Sequence, residues 1–256
     1  GSSGYEEAAA QGLIAGINAH LFVRGEPPFT LTRMDGYIGT LIDDLVTKGT
    51  DEPYRMMTSR SEYRLICRQD NADLRLMEKG LALGLVSPER AEKARQKARL
   101  TELELKRLQK TIAPPSQAVN DFLASHKTSP LALRGASLLE LLRRPELDYN
   151  ALSAIDPDRP DIPADVAEQV EIAVKYEGYI RRQERDIADM QRMESRSLPE
   201  GLDYLSMSLL RTEARQKLDR IRPRTLGQAG RISGVSPADV AALMVILSQM
   251  EEKHEL

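Results

Sequence analysis

The first stretch of the chain, GSSGYEEAAAQGLIAGINAHL, specifies a helix that needs covering on two sides. Ser3 followed three places on by Glu6 has the form of a capping box, and Gly4 frees the turn. From there Ala10, Leu13, Ile14, Ile17 and Leu21 recur at helical spacing and make one apolar stripe. The flank carrying Ala8, Gly12, Ala15 and Ala19 is almost free of side-chain bulk, so something is expected to approach its backbone closely. A helix that is oily on one side and bare on another is normally sandwiched, and the rest of the chain has to supply the layers or leave them to something else.

The rest of the chain reads almost entirely as helix. Asp35 is expected to cap a helix whose Ile38, Leu41, Ile42, Leu45 and Val46 follow the core pattern until Gly49 stops it. GEPPFTLTR before it is a Pro-broken connection with one short strand expected over 29–32. Ser59 with Glu62 predicts a second capping box, opening a helix through about Arg68. A charge-dense helix is predicted from Ser87-Pro88 to about Lys110, ended by the prolines of APPS at 113–116. Two shorter apolar stretches come next, at 119–124 and 138–143. DPDRPDIP at 156–163 reads as a linker, and one long helix is predicted from Asp165 to about Arg196. The remainder holds three short helical segments, the last opened by Ser236-Pro237 with Asp239 in its first turn. There is no βαβ alternation and no run of buried strands, so the fold class is predominantly all-α and the chain has no sheet to offer its first helix.

Composition narrows the setting. The 256 residues allow one large domain or two small ones, and a net charge of −3 advertises neither nucleic-acid nor membrane attraction for the molecule as a whole. The single Cys67 excludes an internal disulfide framework and fits a reducing, cytoplasmic setting. No apolar run approaches the roughly 20 residues that span a bilayer. His20, His126 and His254 are scattered without metal-ligand spacing. A chain that opens without Met and without a signal peptide reads as a piece of a longer protein.

Two basic stretches carry chemistry. On the helix expected from Ser59, Arg60, Arg64 and Arg68 repeat every four residues along one side, with Arg55 before and Arg75 after them and Tyr54 and Tyr63 interleaved. Guanidinium forks bind phosphate oxygens bidentately, and the rings can stack on bases. Against this, Asp51, Glu52, Glu62, Asp70 and Asp73 share the segment, and on the residues alone an internal salt-bridge network is the stronger reading. The second stretch has Arg215, Lys217, Arg220, Arg222, Arg224 and Arg231 against Asp219 alone. GQAGRISGVSPADV then sets a Gly-containing turn between helices, as in modules that bring amides and cations to a phosphate backbone, and equally as in ordinary bundles with a solvated basic rim. KYEGYIRRQ, with Tyr176 and Tyr179 on one helix edge, reads as a partner or nucleic-acid surface or as packing around Gly178. Cys67, between Arg64 and Arg68, reads as a small packed residue ahead of a redox thiol.

GSSGYEEAAAQGLIAGINA resembles a signature late in the flavin domain of the GidA/MnmG family. The resemblance continues, in the family's order, through EPYRMMTSRSEYRLICRQDNADLRL at 52–76, VEIAVKYEGYIRRQ at 170–183 and RPRTLGQAGRISGVSPADVAALM at 222–244. It implies an FAD-dependent enzyme, using NADH as well, that installs aminomethyl or carboxymethylaminomethyl groups on the wobble uridine of tRNA. The chain would then be the helical C-terminal region of a larger α/β flavoprotein. Residues 1–24 would be the last helix of an FAD-binding domain, 25–155 a helical domain holding the Arg-rich segment, and 156–256 a C-terminal helical domain for tRNA and partner docking. The family's Gly-rich dinucleotide turn and reactive cysteines have no counterpart here, so the resemblance implies no catalytic residue in this piece and no cofactor bound by it alone. Gly4 and Tyr5 become neighbours of FAD in the complete protein, and Glu6 and Glu7 favour contact to hydroxyls or ring atoms over pyrophosphate. The resemblance also reverses the order at the basic stretches: Arg55, Arg60, Arg64, Arg68 and Arg75, with Lys217, Arg220, Arg222, Arg224 and Arg231, become tRNA contacts. It implies further a tRNA-modification GTPase of the MnmE/TrmE family as partner, and a homodimer. The alternative is an oligomerisation and partner-docking scaffold with structural arginines.

Overall fold

In a computed structural model the chain folds as helices, as the periodicity requires. The structure describes residues 2, 4–47, 49 and 53–254, the side chains of 186–187, 189–195 and 251–254 excepted. The expected cap Ser3 and the acids Asp51 and Glu52 lie outside the described residues. Among those described, no helix is long and apolar enough to cross a membrane. Two compact units form, residues 1–64 with 183–256 and residues 65–182.

In the first unit, α1 (Tyr5–Val23) starts from Gly4, whose carbonyl accepts from Ala8 N at 3.0 Å. Its stripe is only partly covered: Ile14, Ile17 and Leu21 are half-buried and Leu13 is exposed. The small-residue flank of Ala8, Gly12, Ala15 and Ala19 is exposed, and a Cβ added at Gly12 or Gly16 would meet nothing within 4 Å. α1 packs on α2 (Tyr37–Thr47). Asp35 lies two residues ahead of Tyr37, where α2 begins. Its Oδ2 accepts from Thr32 N and Thr32 Oγ1, both at 2.8 Å, and so closes the preceding turn. The strand expected over 29–32 is irregular backbone, held where Phe29 and Asn18 exchange bonds of 2.7 and 2.9 Å. Gly39 lets α2 press on this segment, since a Cβ there would lie 1.9 Å from the Thr32 carbonyl oxygen.

The helix expected from Ser59 to Arg68 does not form. Only a 3-10 turn, Thr58–Arg60, is present, and Ser61 leaves it in extended conformation with φ −96° and ψ 122°. The reason is competition for the capping acid. Arg33 takes the Glu62 carboxylate, and Ser61 Oγ accepts from Tyr63 N, two residues on, as a local turn. Residues 62–71 continue as turns and bends, so Arg60, Arg64 and Arg68 make no helical ladder.

The second unit begins its regular structure at α3 (Ala72–Ala82), which packs along α4 (Pro88–Lys110). Ser87 caps α4 by accepting from Arg90 N, with Pro88 at the first helical position, where a missing amide hydrogen costs nothing. Beyond it β1 (Ile112–Ala113) pairs antiparallel with β2 (Ala136–Ser137), a ribbon too short to be read in the sequence. Between them lies α5 (Gln117–Ser125), and after them α6 (Leu138–Leu142), which carries a full Ser137–Glu140 capping box. α7 (Ala164–Lys175) closes the core with Val170 and Val174 against Leu108, Leu123, Leu138, Leu141 and Leu142. The segment expected as a linker is built into this core. Asp156 is buried and receives Arg107 at 2.6 Å, and Ile162 packs on the apolar cluster. The predicted long helix is interrupted at Tyr176, where α7 ends and α8 (Glu177–Ser195) begins.

The remaining helices belong to the first unit. A 3-10 turn (Tyr204–Ser206), α9 (Thr212–Ile221), α10 (Leu226–Arg231) and α11 (Pro237–His254) surround a core of Leu202, Leu210, Leu218, Leu226, Ile232 and Leu243. The last helix opens at Ser236-Pro237 as expected, and Ser236 and Asp239 cap it reciprocally.

Candidate nucleic-acid interface

The residue that organises the Arg-rich segment is Arg33. It is 6% exposed and reaches Asp44 at 2.7 Å, Asp43 at 3.0 Å and Glu62 at 2.8 Å. A further bond of 3.1 Å to the Arg60 carbonyl fixes the loop that bears Arg60. Burial alone would push its pKa down, but the bonds to Glu62 and Asp44 outweigh that and hold it above the usual arginine value. Tyr54 donates its hydroxyl to Asp44 at 2.8 Å, and burial, with Asp44 beside it, pushes the phenol well up. Sequence reasoning missed this hub. A signal existed: Asp44 falls at i+3 from Leu41, on the buried side of α2, where an acid demands a cation.

On this hub stands an exposed row. The Arg60 guanidinium lies over the Tyr54 ring at 4.4 Å from the centroid. Arg64 is exposed and makes no ion pair among the described residues. Arg55, 59% exposed, lies 3.5 Å from Glu7, its one ion-pair contact among the described residues. That contact joins the row to the start of α1, where Met56 N donates to Glu7 Oε1 at 2.9 Å. The same backbone bond is the first cause of the lowered Glu7 pKa, followed by the bond to its own amide. Glu7 folds back on Gly4, where any Cβ would strike its carboxylate, and its Oε2 is buried with no hydrogen-bond partner among the described residues. Tyr5 is 92% exposed.

The other predicted contacts divide. Arg68 holds Asp70 at 2.9 Å and Arg75 bonds Asn71 at 2.9 Å and the Arg68 carbonyl at 3.1 Å, so both are turned into the second unit. Arg222 sits in left-handed conformation (φ 52°) at the end of α9, bonded to Asp219 and to the Leu202 carbonyl, with Tyr204 beneath it. Arg231 is 10% exposed and paired with Asp43. Arg68, Arg75, Arg222 and Arg231, expected as phosphate contacts, are thus engaged by acids and carbonyls of the fold, with Arg222 still half exposed. Arg220 and Arg224 are exposed and Lys217 half-buried, all without an ion pair among the described residues. Cys67 is buried, as a packed residue.

The fold and the site together define a helical region with a buried arginine hub and an exposed cationic rim. The model for the tRNA modifying enzyme MnmG/GidA C-terminal helical domain matches residues 88–184, that for the C-terminal helical bundle matches 186–255, and that for glucose inhibited division protein A matches 1–27. The chain belongs to the MnmG/GidA family and carries its C-terminal helical region. It is 57% identical over 252 residues to the tRNA uridine 5-carboxymethylaminomethyl modification enzyme MnmG of Caldicellulosiruptor saccharolyticus, covering 98% of this chain and 40% of that protein. The enzyme of the same name from Clostridium kluyveri is 56% identical over 254 residues, again with 40% of its length covered. Among solved structures, Aquifex aeolicus GidA in its form II crystal is 38% identical with a TM-score of 0.79, covering 96% of this chain and 38% of that one. The form I crystal gives a TM-score of 0.76.

Proposed function

We propose that the chain is the tRNA-docking, C-terminal part of an FAD-dependent enzyme that adds aminomethyl or carboxymethylaminomethyl groups to C5 of the wobble uridine of tRNA. The observation that carries the docking role is the exposed row Arg55, Arg60 and Arg64 standing on the Arg33 hub. Guanidiniums without strong internal partners are available to phosphate oxygens, and Arg60 over Tyr54 offers a flat cationic face to a base. FAD, with NADH as its reductant, supplies the redox chemistry when bound, in a domain that this chain does not contain. Gly4 and Tyr5 would border that cofactor, and the unsatisfied Glu7 Oε2 would accept from one of its hydroxyl or ring N–H groups. The open flank of α1 would pack on that domain's sheet, and the 186–255 bundle would dock the GTPase in a homodimeric, cytoplasmic enzyme.

Titration of tRNA against the chain at about 50–200 mM salt tests the docking role, since releasing several phosphate counterions makes affinity fall steeply with salt. A flat salt dependence would remove it. The internal pairs of Arg33, Arg68 and Arg231 favour a second reading, a docking scaffold with structural arginines, and that flat response is the outcome it expects.

A further inference from the structure

The second unit contains a cavity of about 670 Å³ between α7 and the Tyr149–Arg159 segment, within the roughly 300–1,000 Å³ typical of small-ligand sites. The Arg159 guanidinium lies on the Tyr149 ring at 4.3 Å from its centroid. Bonds of 3.2 Å to the Asn150 carbonyl and 2.8 Å to Asn150 Oδ1 hold it there. It forms no ion pair among the described residues, so its charge is not neutralised by an acid of the fold. Across the cavity, Glu168, Glu171 and Lys175 line one face of α7 at i, i+3 and i+7. Glu171 is engaged, accepting from Tyr149 N at 3.1 Å and pairing with Lys175 at 3.0 Å. Glu168 is exposed and has no cationic partner among the described residues. The cavity thus presents one immobilised planar cation and one free carboxylate.

We infer that this cavity is a pocket for an unpaired guanine base of RNA. A guanidinium plane held on one side by Tyr149 stacks on a base with the other. A carboxylate accepts in parallel from two adjacent donors, and guanine alone among the RNA bases carries two, N1–H and the N2 amine, on its Watson–Crick edge. Adenine sets its amine beside an acceptor nitrogen, and uracil flanks its single N–H with carbonyls that a carboxylate repels. That the base belongs to tRNA rests on the reading above; the preference for guanine does not.

The test is calorimetric titration of the chain with guanosine, inosine and adenosine, beside the Glu168→Ala and Arg159→Lys variants, with tRNA binding measured in parallel. Saturable guanosine binding is expected, weaker for inosine, which lacks the N2 amine, and about tenfold or more weaker for adenosine and for Glu168→Ala. Arg159→Lys keeps the charge, loses the plane and is expected to weaken guanosine by a similar factor. Circular dichroism melts of both variants matching the parent exclude misfolding as the cause. No guanosine binding at millimolar concentration, or equal binding of guanosine and adenosine, overturns the pocket even where tRNA binds with a steep salt slope. Selective guanosine binding beside salt-insensitive tRNA binding keeps the pocket and removes the docking role proposed above.

Discussion

Arg231 donates from Nη2 to Asp43 Oδ1 at 2.9 Å, with its Nε 2.8 Å from Oδ2, and so ties α10 to α2 across 188 positions of sequence. Asp43 also receives Arg33, which makes it the acid shared between the hub and the C-terminal bundle. Replacing Arg231 with Ala is expected to cost roughly 2 kcal/mol. That is less than the about 3–5 kcal/mol typical of breaking a buried pair, because Asp43 keeps Arg33. Thermal melts measure the loss. The salt slope of tRNA binding should stay where it was, and a slope lowered by about one unit would return Arg231 to the phosphate contacts.

Arg33→Met removes the cation that Asp44 shares with Glu62, and stability is expected to fall by about 3–5 kcal/mol. Arg33→Lys should recover less than half of this. One ammonium cannot reach Asp43, Asp44, Glu62 and the Arg60 carbonyl together, as the guanidinium fork does. A lysine variant that melts like the parent would show that charge alone, without the fork, suffices.

How much of the fold is legible in the sequence depends on how local each signal is. α4 is bounded within a residue at both ends because Ser87-Pro88 and the prolines after Lys110 act on the adjacent backbone. The Ser236–Asp239 cap is readable for the same reason. The false helix at Ser59–Arg68 shows the limit, since its capping acid Glu62 belongs to Arg33, 29 positions earlier, and no local pattern reveals that. The linker at 156–163 fails likewise: Asp156 looks like a loop acid until Arg107, 49 residues away, claims it. In the candidate site the basic words mark the segments that carry cations, but which arginine is exposed depends on which acids the fold delivers. Arg64 and Arg68 are the same residue type four positions apart, one exposed and one held by Asp70.

Asp239 gives the C-terminal bundle an acid limit. Bonds from the Arg211 guanidinium, at 2.7 and 3.0 Å, and then from Ser236 hold its carboxyl far below the ordinary aspartate range, against an opposing effect of burial. A carboxyl depressed in the folded state contributes fully above its unfolded pKa of about 3.9 and loses that contribution as pH falls below it. Asp239→Asn should therefore melt lower at neutral pH, by about 1–2 kcal/mol as for a lost cap, and the gap to the parent should close between about pH 5 and pH 2. A gap that stays constant over this range would show that shape, not charge, makes the cap.

Arg55 and Arg64 are expected to carry tRNA affinity. They lie in the EPYR and EYRL words; among the described residues the first has a loose contact to Glu7 and the second no ion pair. If each contacts a phosphate, Ala substitution should weaken tRNA binding about equally for all tRNAs and lower the salt slope by about one unit apiece. The double variant should lower it by about two, because contacts to separate phosphates release separate counterions. Arg64→Ala should change stability by less than about 1 kcal/mol, since an exposed arginine contributes little to the fold. Arg231→Ala is the natural control, with the opposite pattern of lost stability and an unchanged slope. The two kinds of arginine thus separate in a single plot of melting temperature against salt slope. Arg55→Ala and Arg64→Ala falling beside Arg231→Ala on that plot would make the exposed row structural and leave tRNA docking to Lys217, Arg220 and Arg224.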